Sequence, residues 1–296
     1  MTEFAHPLDR VGPLVARTRA ELAGMLVPAR LGGERVALVP TMGALHDGHA
    51  SLMRAARDRV ADGPVVVSIF VNPLQFAPGE DLDRYPRTFD DDLRVCEREG
   101  VDIVFAPSVE EMYPGGEPLV TVDPGPVADI LEGKTRPGHF AGVLTVVAKL
   151  FGLVGPDVAV FGEKDYQQLA LVRRMSADLC LGVDVVGAPT QREPDGLALS
   201  SRNRYLDDEA RHQAVTLSRA LFAAKEEAQH GVQAALDAAR AELRAAPGVD
   251  LDYLVITAPD LSELPSDIPA GAHARALIAG RIGSTRLIDN IPLTIG

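Results

Sequence analysis

The segment PTMGALHDGH, residues 40–49, places two histidines three residues apart. It joins the apolar run 36–39, which predicts a strand, to a helical pattern that begins near residue 50. A helix N-terminus offers unpaired N–H groups and partial positive charge to a phosphate, and His46 and His49 add donors. The pattern is therefore typical of a site for nucleotide phosphates. The alternative is a structural turn with two surface histidines. A zinc site is disfavoured, because no third ligand of the usual kind lies nearby in the sequence.

Polar side chains also follow the next apolar run. Residues 65–71, VVVSIFV, have the β-branched composition of a strand buried on both faces, and Asn72-Pro-Leu-Gln75 follows. The neutral amides of Asn72 and Gln75 suit hydrogen bonds to a small hydroxy acid. Ordinary turn chemistry is the alternative interpretation of this segment.

Two further segments carry residues that can bind phosphate. Gly162-Glu-Lys164-Asp165 follows the predicted strand 158–161, and Gln168 lies three residues further on. Lys164 can meet phosphate oxygens, while Asp165 can cap the next helix. Ser200, Ser201 and Arg202 offer several donors in a segment that could be a mobile phosphate clamp. A capped helix start and a polar linker are the respective alternatives.

Acidic residues at the start of a predicted helix give a weaker indication of a metal. Asp90, Asp91 and Asp92 would complement the helix dipole, and one or two of them could also hold Mg²⁺ that arrives with ATP. His139, in the loop sequence RPGHFAG, is another candidate ligand contact. A loop histidine is more often structural.

Buried strands alternate with helices through the first 190 residues, which predicts βαβ units and an α/β fold. We expect a Rossmann-like doubly wound parallel sheet, with the polar motifs meeting beyond the carboxyl ends of its strands. Residues 1–190 would form this domain. After residue 190, Ala-rich helical segments at 209–228 and 232–246 precede strand candidates at 252–256 and 275–279. Residues 191–296 would form a smaller C-terminal α+β domain that closes over the active site.

Composition limits the possible partners and the compartment. The net charge of −13 counts against nucleic acid but leaves room for a small anion held by local donors. The start of the chain lacks an apolar signal core, and the most apolar run, 141–154, is shorter than the ~20 residues of a spanning helix. We therefore expect no membrane partner and a cytoplasmic location. Cys96 and Cys180 fit thiols in a reducing compartment.

Six segments in this order resemble the pantothenate synthetase family, also called pantoate–β-alanine ligases. They are VPTMGALHDGH, SIFVNPLQF, YPRTFDDDL, RPGHFAGVLTVV, FGEKDYQQL and DGLALSSRNRYL, and the resemblance runs through almost the whole chain. An HxGH motif alone would indicate only the wider nucleotidyltransferase superfamily. The family implies condensation of pantoate with β-alanine through a pantoyl adenylate, with ATP as a substrate, Mg²⁺ as a cofactor, and a homodimer.

The resemblance also implies roles for individual residues. His49, His46 and Lys164 would be catalytic, with His49 matching the position described as a general acid. ATP contacts would come from Met42, Gly43, His46, Gly48, His49, Gly162, Lys164, Asp165, Gln191, Leu199, Ser200, Ser201 and Arg202. Pantoate contacts would come from Pro40, Met42, Phe70, Asn72, Gln75, His139 and Gln168. Asp91 and Asp92 match a proposed metal position.

Two departures from the family pattern are visible. Leu199 stands where Met is expected, which is a mild apolar exchange. Val95 stands where some members of the family carry a polar residue near the proposed metal position. Two alternative functions remain open at this point. One is a nucleotidyltransferase acting on a phosphate substrate, which would need extra basic residues. The other is a nucleotide-sensing module without a second substrate pocket.

Overall fold

A computed structural model describes residues 12–76, 82 and 85–296 of the 296-residue chain. Residues 1–11, at the start of the chain where the sequence lacks an apolar signal core, lie outside these ranges. The described chain forms two compact units. Unit 1 contains residues up to 162 together with 171–188, and unit 2 contains residues 163–170 together with 189–296. The domain boundary at residue 190 stays a prediction. So does the closing of the C-terminal domain over the active site.

Unit 1 is built on a parallel sheet with helices, which confirms the predicted fold class. Its strands are β1 (Leu14–Ala16), β2 (Ala37–Thr41), β3 (Val65–Ile69), β4 (Ile103–Phe105), β5 (Val158–Gly162) and β6 (Asp184–Ala188). They lie in the order β1-β4-β3-β2-β5-β6, and every neighbouring pair is parallel. The order reverses between β2 and β5. In such sheets ligands bind beyond the carboxyl ends of the strands at this reversal.

The helical patterns predicted near residue 50, at 209–228 and at 232–246 are confirmed, and these are three of the nine helices within the described ranges. The helices are α1 (Arg19–Gly32), α2 (Asp47–Val60), α3 (Phe89–Arg98), α4 (Val109–Met112), α5 (Leu131–Thr135), α6 (His139–Val154), α7 (Tyr166–Asp178), α8 (Asp208–Glu227) and α9 (Val232–Arg244). Within the described ranges, no helix has the length and apolar composition needed to cross a bilayer.

The central strands explain why the sheet forms. Val65, Val66 and Val67 of β3 are at most 1% exposed, so the strand is covered on both faces. This matches its mostly β-branched sequence, VVVSI, which favours a parallel sheet buried beneath helices. Burial of apolar side chains on both faces is the main stabilising contribution to such a sheet.

Unit 2 is a smaller α+β unit. It contains the antiparallel strands β7 (Asp250–Thr257), β8 (Ala272–Ile282) and β9 (Thr285–Ile295) in the order β7-β8-β9. Buried side chains of α8 and α9 form one core with the sheet, including Leu217, Leu221, Ile278 and Leu293. The hydrophobic face of the sheet is thereby covered by the two Ala-rich helices.

Two strands were missed by the sequence analysis. β1 precedes α1 and has only three residues, too few for a recognisable period. β9 contains Asp289, Asn290 and Pro292, which are unfavourable in a strand. Pro is tolerated because β9 is an edge strand of the sheet, where a missing N–H interrupts no ladder.

α6 packs against the turn after β3 at a distance that requires glycine. A Cβ on Gly142 would lie 2.2 Å from the carbonyl oxygen of Leu74, so any side chain at this position forces the turn or the helix to move. The turn consists of Pro73–Gln75 and carries one of the candidate site residues. Gly142 therefore sets how closely α6 approaches this part of the sheet edge.

We expect Gly142→Ala to lower the free energy of unfolding by about 1–3 kcal/mol, because the added methyl group overlaps backbone atoms. Gly152→Ala is the matched control on the same helix, since a Cβ there meets nothing within 4 Å. It should stabilise the protein by about 0.5–1 kcal/mol through helix propensity. Urea unfolding of the two variants measures the difference. Equal effects of both substitutions would contradict the close packing.

Candidate active site

The loop between β2 and α2 is held by a buried carboxylate of α3. Asp92 is 2% exposed, and its two oxygens accept the N–H groups of Ala44 at 3.1 Å and Leu45 at 2.8 Å. The hydroxyl of Thr88 donates to the same carboxylate at 3.2 Å. Hydrogen bonds to an ionised acceptor are the strong class, so Asp92 fixes the backbone just before the two histidines.

The loop has an unusual backbone conformation at the point where Asp92 holds it. Gly43 has φ +83° and the following Ala44 has φ +52°, a region that residues with a side chain seldom adopt. A Cβ on Gly43 would lie 2.9 Å from Oδ2 of Asp92. Gly43 is therefore needed both for its φ angle and for the close approach of the carboxylate.

His46 and His49 cap the start of α2 with their side chains. Nδ1 of His46 accepts the N–H of Gly48 at 3.1 Å, and Nδ1 of His49 accepts the N–H of His46 at 3.3 Å. The two ring centroids lie 4.2 Å apart. Because each Nδ1 is an acceptor, the proton of each neutral ring is on Nε2. The arrangement presents two N–H donors at the N-terminus of a helix, which suits an anion.

The turn after β3 lies against the same loop. β2 and β3 are neighbours in the sheet, and Thr41 at the end of β2 pairs with Ile69 at the end of β3. Nε2 of Gln75 donates to the sulfur of Met42, and the Gln75 side chain is largely buried. The structure thus brings together the predicted nucleotide loop and a predicted contact for the acid.

Asn72 holds the turn and is buried beneath it. It is 1% exposed, its Nδ2 donates to the carbonyl of Gly142 at 3.0 Å, and its Oδ1 accepts the hydroxyl of Tyr113 at 2.8 Å. Burial raises the pKa of Tyr113 above its ordinary value, so the phenol stays protonated and remains a donor. These contacts make Asn72 a support for Gln75 in this structure.

His139 and Phe70 complete the surroundings of Gln75. Nδ1 of His139 donates to the carbonyl of Gln75 at 2.9 Å, and Arg136 donates to Nε2 of the same ring at 3.0 Å. Phe70 is buried, with its ring centroid 6.1 Å from that of Tyr113. His139 therefore fixes the backbone of the turn, and Phe70 lies against Tyr113, which bonds Asn72 at the start of the turn.

In unit 2, Lys164 and Asp165 belong to the short 3-10 turn Glu163–Asp165 that follows β5. Nζ of Lys164 lies 3.6 Å from Oδ1 of Asp165, and the lysine side chain is 18% exposed. Lys164 and Ser200 line one cavity, together with Leu197, Ala198, Asn203, Leu217, Leu287, Ile288 and Asp289. Two of the predicted phosphate contacts are thus close to each other within this unit.

The other predicted contacts of unit 2 lie along residues 191–202. The N–H of Leu199 donates to the carbonyl of Gln191 at 2.9 Å, which closes this segment into a loop. Ser200 then caps the 3-10 turn Ser201–Tyr205, its hydroxyl accepting the N–H of Arg202 at 3.2 Å. Arg202 is exposed. Residues 191–199 are thus closed at their base, and the hydroxyl and guanidinium groups of Ser200, Ser201 and Arg202 follow directly after this closure.

Comparison with known proteins decides the family. The family model described as pantoate-beta-alanine ligase matches residues 14–292. A pantothenate synthetase from a Nocardioides species is 72% identical over 288 residues, which cover 96% of this chain and 86% of the relative. The chain belongs to the pantoate-beta-alanine ligase family. The predicted family and the prediction of an enzyme are both confirmed.

Solved structures of this ligase family share the fold. Pantothenate synthetase from Thermus thermophilus matches with a TM-score of 0.85 and 52% identity, covering 94% of this chain and 98% of that one. Pantoate-beta-alanine ligase from Francisella tularensis, solved in complex with beta-gamma ATP and beta-alanine, matches with a TM-score of 0.75 and 33% identity. That match covers 94% of this chain and 97% of the Francisella chain.

The two carboxylates predicted as metal ligands lie in different surroundings. Asp91 is exposed and paired with Arg94, whereas the oxygens of Asp92 accept backbone N–H groups. In the part of the ligase that the structure describes, no group of three or more His, Cys, Asp or Glu residues could hold a metal ion. The role of Asp91 and Asp92 in binding Mg²⁺ stays a prediction.

Several residues that support the site escaped the sequence analysis. Thr41 donates to the carbonyl of Ser68 at 2.7 Å and accepts the N–H of Gly43 at 3.2 Å, which ties the loop to β3. The hydroxyl of Tyr113 donates to Asn72, and the side-chain amide of Asn290 donates to the carbonyl of Lys164. They lie 41 and 126 residues from those partners, so no local spacing could have indicated them.

We expect Asp92→Asn to disturb the ligase site much more than Asp91→Asn. The amide retains one good acceptor, so a buried N–H of Ala44 or Leu45 loses its partner at a cost of about 1–3 kcal/mol. A loop displacement of about 1 Å is enough for a loss near 100-fold in kcat/KM. Asp91→Asn, which loses only an exposed pair with Arg94, should stay close to wild type. Steady-state kinetics and urea unfolding check this, and a normal Asp92→Asn enzyme would remove the anchoring role.

Proposed function

We propose that this ligase condenses pantoate with β-alanine, consuming ATP and releasing AMP and pyrophosphate through a pantoyl adenylate. In the first half-reaction a carboxylate oxygen of pantoate attacks the α-phosphorus of ATP, and the bond to pyrophosphate breaks. In the second, the amine of β-alanine attacks the acyl carbon, and the bond to AMP breaks. The family membership and the ligands of the Francisella relative support this reaction over the two alternative functions.

The contact between Gln75 and Met42 carries the proposal. Adenylation requires the carboxylate and the α-phosphate to meet in one orientation, and holding two reactants in this way supplies much of the rate. Met42 belongs to the loop that ends at the histidines, and Gln75 to the turn after the adjoining strand. A pantoate bound by Gln75, between Pro40, Met42 and Phe70, would therefore adjoin a nucleotide bound at α2.

The two histidines supply charge stabilisation in this scheme. Their Nε2–H groups and the N-terminus of α2 would bind phosphate oxygens as negative charge develops at the α-phosphorus. His49 would donate its hydrogen bond toward the departing pyrophosphate. Because Nδ1 of each ring caps the helix, the donor direction is set before the substrate arrives.

Donors of unit 2 would bind further phosphate oxygens. The ammonium group of Lys164 is a compact point charge, and the guanidinium of Arg202 is a fork of donors. The hydroxyls of Ser200 and Ser201 would add hydrogen bonds beside them. Mg²⁺ would arrive with ATP, bound mainly by phosphate oxygens and water, as this ion prefers.

The remaining predicted contacts would complete the two substrate sites. Gly162, Asp165 and Gln191 would contact the nucleotide. Gln168 would contact pantoate through its neutral amide.

The oligomeric state and the compartment of the enzyme are further expectations. A homodimer and a cytoplasmic location stay predictions. The net charge of −13 disfavours long polyanions, which agrees with small-molecule substrates.

Exchange of labelled pyrophosphate into ATP tests the adenylate step. We expect exchange when pantoate and Mg²⁺ are present and β-alanine is absent, because the first half-reaction is reversible on the enzyme. Sustained AMP release should require β-alanine as well. Chromatographic separation of labelled ATP measures the exchange. Exchange that ignores pantoate, or that needs β-alanine, would contradict the proposed order.

Replacing His49 by alanine should lower the rate of this exchange at least ~100-fold, the usual effect of losing a preorganised donor at developing charge. His230→Ala is a suitable control, because its ring is exposed in unit 2 and pairs with Glu227 of the preceding helix. It should leave the exchange rate unchanged. Circular dichroism establishes that both variants fold. Near-normal exchange in His49→Ala would remove His49 from the catalytic residues.

Replacing Gln75 by alanine should raise KM for pantoate by about 10-fold or more while KM for ATP changes little, since one or two hydrogen bonds to the acid are lost. Initial rates with each substrate varied in turn give both constants. Gln233→Ala, at an exposed helical glutamine of α9, serves as the control and should alter neither constant. Equal increases in both KM values would place Gln75 outside the pantoate site.

A further inference from the structure

Two adjacent buried residues of β9 hold the two phosphate-binding parts of unit 2. Asp289 is 4% exposed and Asn290 is 3% exposed. Polar groups buried to this extent need hydrogen-bond partners. Their partners lie on the turn that carries Lys164 and on the segment that leads to Ser200.

Asn290 holds the turn of Lys164 by its backbone. Its Nδ2 donates to the carbonyl of Glu163 at 2.9 Å and to the carbonyl of Lys164 at 2.8 Å, so both amide hydrogens are used. Nε of Arg275 donates to Oδ1 of Asn290 at 2.7 Å, which fixes the orientation of the amide. Arg275 also pairs with the Glu163 carboxylate at 2.9 Å and lies over the ring of Tyr166. The turn is therefore fixed from several sides.

Asp289 holds the base of the segment 191–202. Its carboxylate forms a two-pronged pair with the guanidinium of Arg192, with distances of 2.6 and 2.9 Å. Arg192 also donates to the carbonyl of Gly196 at 3.1 Å. Bidentate pairing of this kind fixes orientation as well as distance. The same carboxylate accepts the N–H of Asn290 at 2.7 Å, so the two anchors are joined.

The groups held by these anchors meet in one cavity. Lys164 and Ser200 both line it, and Asp289 lies in its wall. A point charge and a hydroxyl can bind the same phosphate group only if their separation is fixed to within a fraction of an ångström. Asn290 bonds the turn of Lys164 and Asp289 bonds Arg192, eight residues before Ser200.

We propose that Asp289 and Asn290 are positioning residues, which set the place of Lys164 relative to the segment that carries Ser200 for binding the phosphates of ATP. Neither residue touches ATP in this scheme. The inference rests on the proposed function, in which Lys164 binds phosphate. It adds a requirement for a residue that lies 126 positions beyond Lys164 in the chain.

Asn290→Asp tests the anchor without changing its size. The carboxylate has no N–H, so it faces two backbone carbonyls that have lost their donors while it still accepts from Arg275. We expect KM for ATP in pyrophosphate exchange to rise by about 10-fold or more and kcat/KM to fall by about 100-fold. Leu293→Val is the control, since Leu293 is a buried residue of the same strand that lies in the apolar core. It should lower the thermal midpoint but leave KM for ATP within about twofold.

A double-mutant cycle shows whether Asn290 acts through Lys164. If it does, Lys164→Ala with Asn290→Asp should be no slower than Lys164→Ala alone, because the positioned group is already gone. If the loss of exchange rate in the double variant equals the product of the two single losses, the inference is overturned. An Asn290→Asp enzyme with normal KM for ATP would overturn it as well. Lys164→Ala with normal exchange would instead overturn the proposed role of Lys164, and the inference with it.

Asp289→Asn provides a second variant if Asn290→Asp does not fold. The amide keeps one hydrogen bond to Arg192 and loses the charge, so the segment should be held less tightly. We expect KM for ATP to rise about 10-fold, as for loss of one charged hydrogen bond. Unchanged KM for ATP in this variant would also overturn the inference.

Discussion

The conformation of the loop between β2 and α2 depends on one buried carboxylate. Asp92 accepts two consecutive backbone N–H groups where the chain passes through positive φ at Gly43 and Ala44. Such a backbone persists only where its surroundings over-determine it. The loop leads directly into His46, and the bonds to Nδ1 of His46 and His49 at the start of α2 orient both imidazole rings.

Gln75, the proposed contact for pantoate, is likewise held by residues that are distant in the sequence. Gln75 lies on a three-residue turn that would have little stability by itself. Asn72 joins the turn to α6 and to Tyr113, and His139 holds its backbone carbonyl. In unit 2, Asn290 performs the same task for the turn of Lys164. Groups proposed to touch substrate are thus held by buried amides and carboxylates rather than by long regular elements.

Much of the fold followed from sequence periodicity. The β-branched run of β3 and the alternation of strands and helices indicated a parallel sheet, and strand ends carried the polar motifs. The edge strands β1 and β9 were missed, because one is too short and the other contains a proline and two polar residues that are unfavourable in strands. Both are stabilised by pairing with neighbouring strands, which no local pattern reveals.

Some residues of the candidate site could likewise be predicted from the sequence, and others could not. His46, His49, Gln75 and Lys164 could be predicted, since their types and their places after strands match chemistry that the family resemblance then narrowed. Asp92 was predicted for a metal because three acidic residues open α3, yet its burial against the loop depends on tertiary contacts. Tyr113, Arg275 and Asn290 could not be found at all, since their importance lies only in partners across the fold.

Transfer of oxygen from pantoate to AMP tests the central claim most directly. The pantoate carboxylate is labelled with ¹⁸O, the enzyme is allowed to turn over with ATP and β-alanine, and AMP, pyrophosphate and pantothenate are analysed by mass spectrometry. An adenylate intermediate predicts one labelled oxygen in AMP and one in the amide of pantothenate for each turnover. AMP without label, or label in pyrophosphate or inorganic phosphate, would contradict the proposal that this site joins the carboxylate to the α-phosphorus.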